Sequence, residues 1–217
     1  MSRSGIGRKT GRVFVISSPS GGGKTTVVER LHRRMPRLAR SISVTTRSPR
    51  LGEREGRDYR FISPATFRRM RRHRELLEWA RVHGACYGTP KAPVLRALAD
   101  GRDVILSIDV QGARQVRRML RRQAVLVFLM PPSLEALRRR LMRRRTEPAA
   151  AIRRRLAIAR REMACAAWYD AVVVNDRLEQ AVREMRAILT ARMRRTTAPP
   201  RRGGERKGLM VHGASAH

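Results

Sequence analysis

The chain has 217 residues, 41% of them apolar, which suits one α/β domain with its own core and excludes a chain that is disordered by composition. Its formal net charge is +33, but 46 of its 50 basic residues are arginines, so a coding bias explains the charge as well as an anionic partner does. Aromatic residues make up only 4% and no nucleic-acid reader motif is present, so we expect non-specific, salt-sensitive polyanion binding and no specific nucleic-acid target.

The cysteines and the apolar runs predict a cytoplasmic protein. Cys86 and Cys165 form no C-x-x-C pair, which favours reduced side chains over a disulfide or a metal site. The short basic N-terminal segment, residues 1–10, precedes an apolar run too short for a signal peptide. The longest apolar stretch, residues 124–130, is too short to cross a bilayer, so we expect no membrane partner.

Apolar runs and helical patterns alternate along the chain. We predict strands at 12–17, 104–108, 124–129 and 171–174, and helices at 24–35, 64–73, 90–100, 111–121, 133–143, 148–166 and 178–193. Near-continuous apolar strands separated by helices are typical of a parallel sheet covered on both faces. The mixed segment 41–91 interrupts this alternation and indicates an inserted subdomain. Residues 194–217 lack an apolar period and are expected to form a disordered basic tail.

The first predicted strand runs directly into a glycine-rich segment that is typical of a phosphate-binding loop. This segment consists of Ser18, Pro19, Ser20, Gly21, Gly22, Gly23, Lys24 and Thr25. Backbone N–H groups and a helix N-terminus would surround phosphates, Lys24 would supply a charge, and the Thr25 hydroxyl would complete the shell of Mg²⁺. Ser18 departs from the strict pattern, and an ordinary Gly/Ser turn is the alternative. The flanking strand and helix favour binding of ATP or GTP.

A second phosphate site is predicted near residues 43–61. Arg47 and Arg50 lie three residues apart, with hydroxyl-bearing residues before them and Tyr59 after them. Guanidinium groups bind phosphate oxygens bidentately, and hydroxyls occupy the remaining oxygens. In a chain with 46 arginines the spacing alone carries no weight, so the prediction depends on these neighbours.

The ordered motifs together resemble those of guanylate kinases. The string T-T-R-x-P-R-x-G-E-x-x-G-x-D-Y-x-F is ungapped at 45–61, and L-L-E-W-A, Y-G-T, D-x-Q-G, P-P-S and V-N-D follow at 76–80, 87–89, 109–112, 131–133 and 174–176. The resemblance covers residues 11–193. It implies a P-loop kinase fold with an inserted GMP-binding subdomain at about 43–91 and an arginine-rich lid at about 142–158. The implied reaction transfers the γ-phosphoryl group of ATP to GMP, with Mg²⁺ bound to ATP.

The resemblance also implies a role for individual residues. Residues 18–25 would hold ATP with Asn175 near the adenine, Thr25 would serve Mg²⁺, and the catalytic residues would be Lys24, Arg144 and Arg155. Glu78 would accept hydrogen bonds from guanine N1–H and the exocyclic amine, and Thr89 would meet O6. The full GMP set would be Ser43, Arg47, Arg50, Tyr59, Glu78, Tyr87, Thr89 and Asp109.

Two departures from the family pattern leave alternatives open. Ser107 replaces the first acid of an L-D-x-D pair that ends at Asp109, and three arginines at 143–145 replace a glycine-containing lid sequence. A catalytically impaired guanylate-kinase-like binding module is therefore an alternative to the active kinase. The presence of Lys24 and Glu78 favours the active kinase. A kinase of sugar phosphates is a third reading, and it should lack Glu78. Surface charge leaves the choice between monomer and homodimer open.

Overall fold

The computed structural model describes residues 10–82, 84–143 and 148–194, which form two β-sheets and seven α-helices. The strands are β1 (Val13–Ser17), β2 (Ala39–Arg40), β3 (Val44–Thr45), β4 (Arg60–Phe61), β5 (Leu76–Val82), β6 (Ala85–Pro90), β7 (Val104–Ser107), β8 (Ala124–Met130) and β9 (Ala171–Val174). The helices are α1 (Lys24–Arg34), α2 (Pro64–Arg72), α3 (Lys91–Ala99), α4 (Val110–Leu120), α5 (Leu134–Arg143), α6 (Ala149–Ala164) and α7 (Leu178–Arg194). Short 3₁₀ helices follow α4 and α6.

The larger sheet is parallel throughout, with the strand order β2-β7-β1-β8-β9. Its central strand β1 is fully buried, as expected for a strand covered on both faces. Val13 pairs with Val104 on one side and with Ala124 on the other. Because all strands run the same way, their carboxyl ends meet at one edge, where the loops after β1 and β7 lie next to each other.

Alternate residues of the central strands face two separate cores. Val13 and Val15 pack on one face with α3 and α4, through Val94 and Val116 among others. Phe14 and Ile16 pack on the opposite face with residues of α1 and α7. The side-chain period of two therefore places one helical layer on each side of the sheet.

The smaller sheet comes from the segment between β2 and α3. Its strand order is β4-β3-β6-β5, and β5 and β6 form an antiparallel hairpin. Helix α2 packs on it through Phe67, which is buried with Val44 and Leu76. The α2 N-terminus is capped by Ser63, whose hydroxyl accepts a hydrogen bond from the Thr66 N–H at 3.1 Å. The side chains of the predicted monophosphate site come from strand β6 of this sheet and from the segments that flank β3.

The predicted parallel sheet with helices on both faces is confirmed, as are its four predicted strands. A fifth strand of this sheet, β2, was not predicted, because two residues at a sheet edge carry no periodic signal. The strands of the smaller sheet were not predicted either. Strands β3 and β4 have only two residues, and the longer β5 and β6 lie within the segment predicted only as an inserted subdomain. The helix predicted to reach residue 166 ends at Ala164 and continues as a 3₁₀ turn. Of the predicted lid, residues 144–147 lie outside the described residues.

Candidate active site

The predicted phosphate loop lies between β1 and α1 and has the backbone shape that such a loop needs. Gly21 and Gly23 both have a φ of 89°, a left-handed conformation that glycine adopts without strain. Gly23 caps α1 without a side-chain hydrogen bond, so the first N–H groups of the helix point toward the loop. An anion in the loop would satisfy those groups and would meet the positive end of the helix.

Close packing against other elements also requires glycine in the loop. A Cβ atom at Gly23 would lie 2.4 Å from Asn175 Nδ2, and one at Gly21 would lie 2.8 Å from Leu141 Cδ2. The buried Asn175 amide donates a hydrogen bond to the Gly22 carbonyl at 2.8 Å. Asn175 therefore contacts the loop and supports its backbone through this hydrogen bond.

Lys24 begins α1 and extends toward the end of β7. Its Nζ donates a hydrogen bond to the Ile108 carbonyl at 2.8 Å. Burial lowers the pKa of Lys24, and the carboxylates of Asp109, Glu162 and Glu78 oppose that shift. The ammonium group is thus held at one carbonyl, with three acids near enough to favour its charged form.

A cavity of about 750 Å³ joins the phosphate loop to the smaller sheet. Residues 18–25 line it, together with most of the predicted acceptor site, namely Ser43, Arg47, Arg50, Tyr59, Glu78, Tyr87 and Asp109. Arg155 lines it from α6. Thr89 and Asn175 stand behind the wall, in contact with residues that line the cavity. Arg144 lies outside the described residues.

Arg47 is held firmly at the acceptor end of the cavity. Its Nη1 and Nη2 donate to the two carboxylate oxygens of Glu53, each at 2.6 Å, and its Nε donates to the Tyr87 hydroxyl at 3.1 Å. A further Nη1 bond reaches the Ser48 carbonyl at 2.9 Å. These contacts use four of the five guanidinium N–H groups, which raises the pKa of Arg47 and fixes the direction of the fifth.

Tyrosine rings surround the same guanidinium group. The Tyr59 ring meets Tyr87 edge-on at a centroid distance of 5.9 Å, and the Arg47 guanidinium carbon lies 5.0 Å from the Tyr59 centroid. Burial raises the pKa of Tyr59, so its hydroxyl keeps its proton and can donate. Phosphate would meet a preformed cluster of neutral and cationic donors here.

Glu78 lies in the wall of the cavity and is only 3% exposed. It pairs directly with Thr89 across the β5–β6 hairpin, and the Thr89 hydroxyl donates to its Oε1 at 2.6 Å. Burial is the main reason that the pKa of Glu78 is raised to about 7, and the Thr89 hydrogen bond opposes the rise. A hydroxyl has one proton, so Thr89 cannot donate to Glu78 and to a ligand at once.

Helix α4 fixes Glu78 from the other side. A Cβ atom at Gly112 would lie 2.2 Å from Glu78 Oε2, so only glycine permits this approach. The Gln115 amide accepts from the Trp79 N–H at 3.1 Å and donates to the Trp79 carbonyl at 2.7 Å. Asp109 caps the same helix, because its Oδ1 accepts from the Gly112 N–H at 2.8 Å.

The sequence analysis missed several residues that line the cavity. These are Thr26, Ala80, Val82, Ile108 and Glu162. Glu162 was detectable, because it lies seven residues after Arg155 on one helix and therefore on the same face two turns later. Ser107, identified as a departure from the family, also lines the cavity.

The described residues contain neither a metal-binding cluster nor a membrane-spanning helix. Within them, no three His, Cys, Asp or Glu side chains converge as a metal-binding cluster. Among the same residues, no helix has the length and apolarity needed to cross a bilayer.

Comparison with known proteins places these features in one family. The model of the family described as guanylate kinase matches residues 10–192. The chain is 50% identical over 192 residues to a guanylate kinase of Oleidesulfovibrio alaskensis, which covers 88% of this chain and 93% of that relative. It is 47% identical over 181 residues to a guanylate kinase of Carboxydothermus hydrogenoformans, which covers 83% of this chain and 88% of that relative. The crystal structure of guanylate kinase from Anaplasma phagocytophilum matches with a TM-score of 0.72 at 35% identity, over 85% of this chain and 87% of that one. The chain therefore belongs to the guanylate kinase family.

Proposed function

We infer that this chain transfers the γ-phosphoryl group of ATP to GMP and releases ADP and GDP. The observation that carries this inference is one cavity with two ends. The phosphate loop and Lys24 form one end, and Arg47 and the buried Glu78 form the other. Two anionic substrates bound there would have their phosphates facing each other, as in-line phosphoryl transfer requires.

At the donor end, we assign ATP to residues 18–25, with Lys24 next to the transferred group. Phosphoryl transfer needs little covalent help, and positioned positive charge supplies most of the acceleration. Lys24 is anchored by the Ile108 carbonyl, and Arg155 reaches the same cavity from α6. Arg144 keeps its proposed part as a second lid arginine on the family resemblance alone. Asn175 keeps its proposed position near adenine on the family resemblance. Its hydrogen bond to the Gly22 carbonyl supports an additional role in shaping the loop.

At the acceptor end, we assign the GMP phosphate to Arg47, Arg50, Ser43 and the hydroxyls of Tyr59 and Tyr87. Arg47 retains one N–H for the phosphate, so it acts through its charge and a single directed donor. Arg50 lines the cavity and supplies a second guanidinium group. The hydroxyl groups would donate hydrogen bonds to the remaining phosphate oxygens and would complete a site for a dianion.

For the base, we assign guanine to Glu78. An ionised carboxylate accepts from N1–H and the exocyclic amine, whereas adenine presents an acceptor at N1 and has no such amine. A buried carboxylate left without donors is costly, which provides discrimination. Thr89 would meet O6 only by turning its proton away from Glu78. Its observed bond to Oε1 supports an additional role in orienting that carboxylate.

The residues present fit Mg²⁺ bound together with ATP. The Thr25 hydroxyl lines the cavity beside the phosphate loop, and a buried oxygen of Glu162 has no hydrogen-bond partner among the described residues. When bound, Mg²⁺ would neutralise phosphate charge and draw electrons from the leaving group. Thr25 would hold it, with acids at the same end of the cavity. Cytoplasmic location, and a monomer or homodimer, stay predictions.

The active kinase is favoured over the alternatives. Relatives that cover most of this chain at about half identity are named guanylate kinases, which does not favour an impaired binding module. Glu78 and its contact with Thr89 are present, contrary to the expectation for a kinase of sugar phosphates. Ser107 therefore changes the site without removing its lysine, its arginines or its base-selecting acid.

A coupled assay of ADP formation tests the function. ATP with Mg²⁺ is supplied with GMP, AMP, CMP or UMP, and Lys24→Ala serves as the blank. We expect turnover with GMP alone, and we expect the blank to lose it. Tight GMP binding without turnover in the wild type would contradict the inference and would support the binding-module reading.

A further inference from the structure

The carboxylate of Glu162 lines the cavity, but the assignments above give it no specific contact with a substrate or with Mg²⁺. Its Oε2 is buried and finds no hydrogen-bond partner among the described residues. Buried carboxylate oxygens are normally satisfied, so an orphaned one indicates a partner that joins the site later. A donor or a cation that arrives with a substrate would be such a partner.

The position of Glu162 relates it to the donor end. The Ser20 backbone, part of the phosphate loop, and the Lys24 ammonium group both lie near enough to the Glu162 carboxylate to lower its pKa against the effect of burial. Helix α6 packs on α5 through an apolar cluster that includes Leu137, Leu141 and Ala159. The Leu141 side chain also packs against Gly21. Glu162 is therefore fixed beside the loop by its own helix and by α5.

The other two acids of the cavity are already committed. Glu78 accepts from Thr89, and Gly112 packs against its second oxygen. Asp109 accepts from the Gly112 N–H at 2.8 Å and caps α4. Position 107, where the family resemblance predicts a carboxylate, holds a serine that cannot offset metal charge. Among the described acids that line the cavity, Glu162 retains an unused oxygen.

We propose that Glu162 is a positioning residue for the metal–nucleotide complex, and that its unpartnered Oε2 serves the hydration shell of Mg²⁺ in place of the carboxylate missing at Ser107. This inference rests on the proposed binding of ATP with Mg²⁺ at the loop. Without metal, Glu162 places a negative charge beside the phosphates and opposes their binding. With metal, the same charge becomes favourable. Glu162 thus makes ATP affinity depend on Mg²⁺.

Calorimetric titration of ATP in the absence of GMP tests this role separately from turnover. ATP affinity is measured with Mg²⁺ and with a chelator, for the wild type, Glu162→Gln and the surface control Glu184→Gln. Glutamine keeps the size of the side chain and an acceptor oxygen but removes the charge. We expect the Mg²⁺-dependent gain in affinity to fall roughly tenfold in Glu162→Gln, while metal-free ATP binds as well as or better than to the wild type. The control should match the wild type.

Two results would overturn the proposal. An unchanged Mg²⁺ gain in Glu162→Gln would show that the metal does not use this carboxylate. A parallel fall of both affinities would show that Glu162 only supports the loop.

Glu162→Gln/Ser107→Asp adds a second arm, since a carboxylate restored at 107 should recover the Mg²⁺ gain. If Glu162→Gln lacks a thermal unfolding transition, Glu162→Asp replaces it and should show a smaller Mg²⁺ gain than the wild type. Failure of the wild type to phosphorylate GMP would contradict the proposed function and would leave the Mg²⁺ comparison measurable.

Discussion

At the scale of single residues, the role proposed for Glu78 would link the selection of the acceptor base to proton binding. The carboxyl group is nearly inaccessible, and its pKa is raised to about 7 chiefly by burial. Guanine would supply two donors to the ionised form, so GMP binding would favour deprotonation. The same group that selects the base should therefore make GMP affinity depend on pH.

We predict that GMP affinity falls as the pH drops below about 7, the value to which the pKa of Glu78 is raised. Below this pH the free protein must give up a proton to accept guanine, which costs up to about tenfold in affinity per pH unit. Calorimetric titration of GMP from about pH 5.5 to 8.5 measures the slope. Glu78→Gln has no carboxylate to titrate at this position, so it should bind weakly and keep only the pH dependence that comes from the second pKa of the GMP phosphate, about 6. A wild-type affinity that does not change with pH would contradict the assignment.

The raised pKa of Glu78 also predicts how the stability of the ligand-free protein depends on pH. Because the folded-state pKa of Glu78 lies above its ordinary value of 4.5, its contribution to stability is fully present below about pH 4.5 and is lost as the pH rises through about 7. Glu78→Gln should consequently raise the free energy of unfolding at pH 8 by on the order of 1–3 kcal/mol. Urea denaturation of this variant beside Glu184→Gln provides the measurement. Destabilisation of Glu78→Gln at pH 8 would refute the prediction.

Glu53 illustrates a residue that acts through another. It holds both terminal nitrogens of Arg47, and the pair is only partly exposed, at 14% and 20% of the side chains. In Glu53→Gln one charged acceptor is lost and the guanidinium group gains freedom. We expect KM for GMP to rise roughly tenfold while KM for ATP stays near the wild-type value, since charge-assisted pairs are worth about 1.5–3 kcal/mol. Steady-state kinetics with each substrate varied distinguishes this outcome from an equal rise in both constants, which would indicate general damage.

At the scale of elements, the phosphate loop was predictable because its signal is local. A buried strand, three glycines and Lys-Thr stand in one short segment. The supports of the loop were not predictable, because Asn175 and Leu141 come from distant parts of the chain. The family resemblance implied that Asn175 lies near adenine, whereas its observed hydrogen-bond partner is the Gly22 carbonyl.

Substitutions of two glycines separate backbone strain from close packing. Gly23 and Gly84 have φ values of 89° and 87°, but a Cβ atom would meet Asn175 only at Gly23. Both Gly23→Ala and Gly84→Ala should lose roughly 1–2 kcal/mol of stability from the left-handed conformation. Only Gly23→Ala should also lose ATP affinity, by at least about tenfold, because the loop or Asn175 must move. Equal ATP affinity in the two variants, measured by calorimetry, would contradict the packing argument.

At the scale of the whole molecule, the sequence predicted the parallel sheet and both helical layers. Continuous apolar strands such as residues 124–130 have few alternatives to burial on two faces. The smaller sheet was predicted only as an inserted subdomain. Its pairing depends on contacts such as Val44 with Gly88, and two-residue strands carry no period of their own. Motif resemblance pointed to Glu78, Tyr87 and Thr89 as acceptor-site candidates, and these residues lie on strands that were not predicted.

The central proposal for the whole molecule is that this cavity phosphorylates the monophosphate that carries guanine and rejects monophosphates with other bases. The most direct test compares kcat/KM for GMP and for AMP in the wild type and in Glu78→Gln. We expect the wild type to prefer GMP by on the order of 10⁴-fold, because a buried carboxylate left without donors is costly. Glu78→Gln should lose most of that preference, chiefly through slower reaction with GMP. Equal use of AMP by the wild type, or an undiminished preference in the variant, would contradict the account.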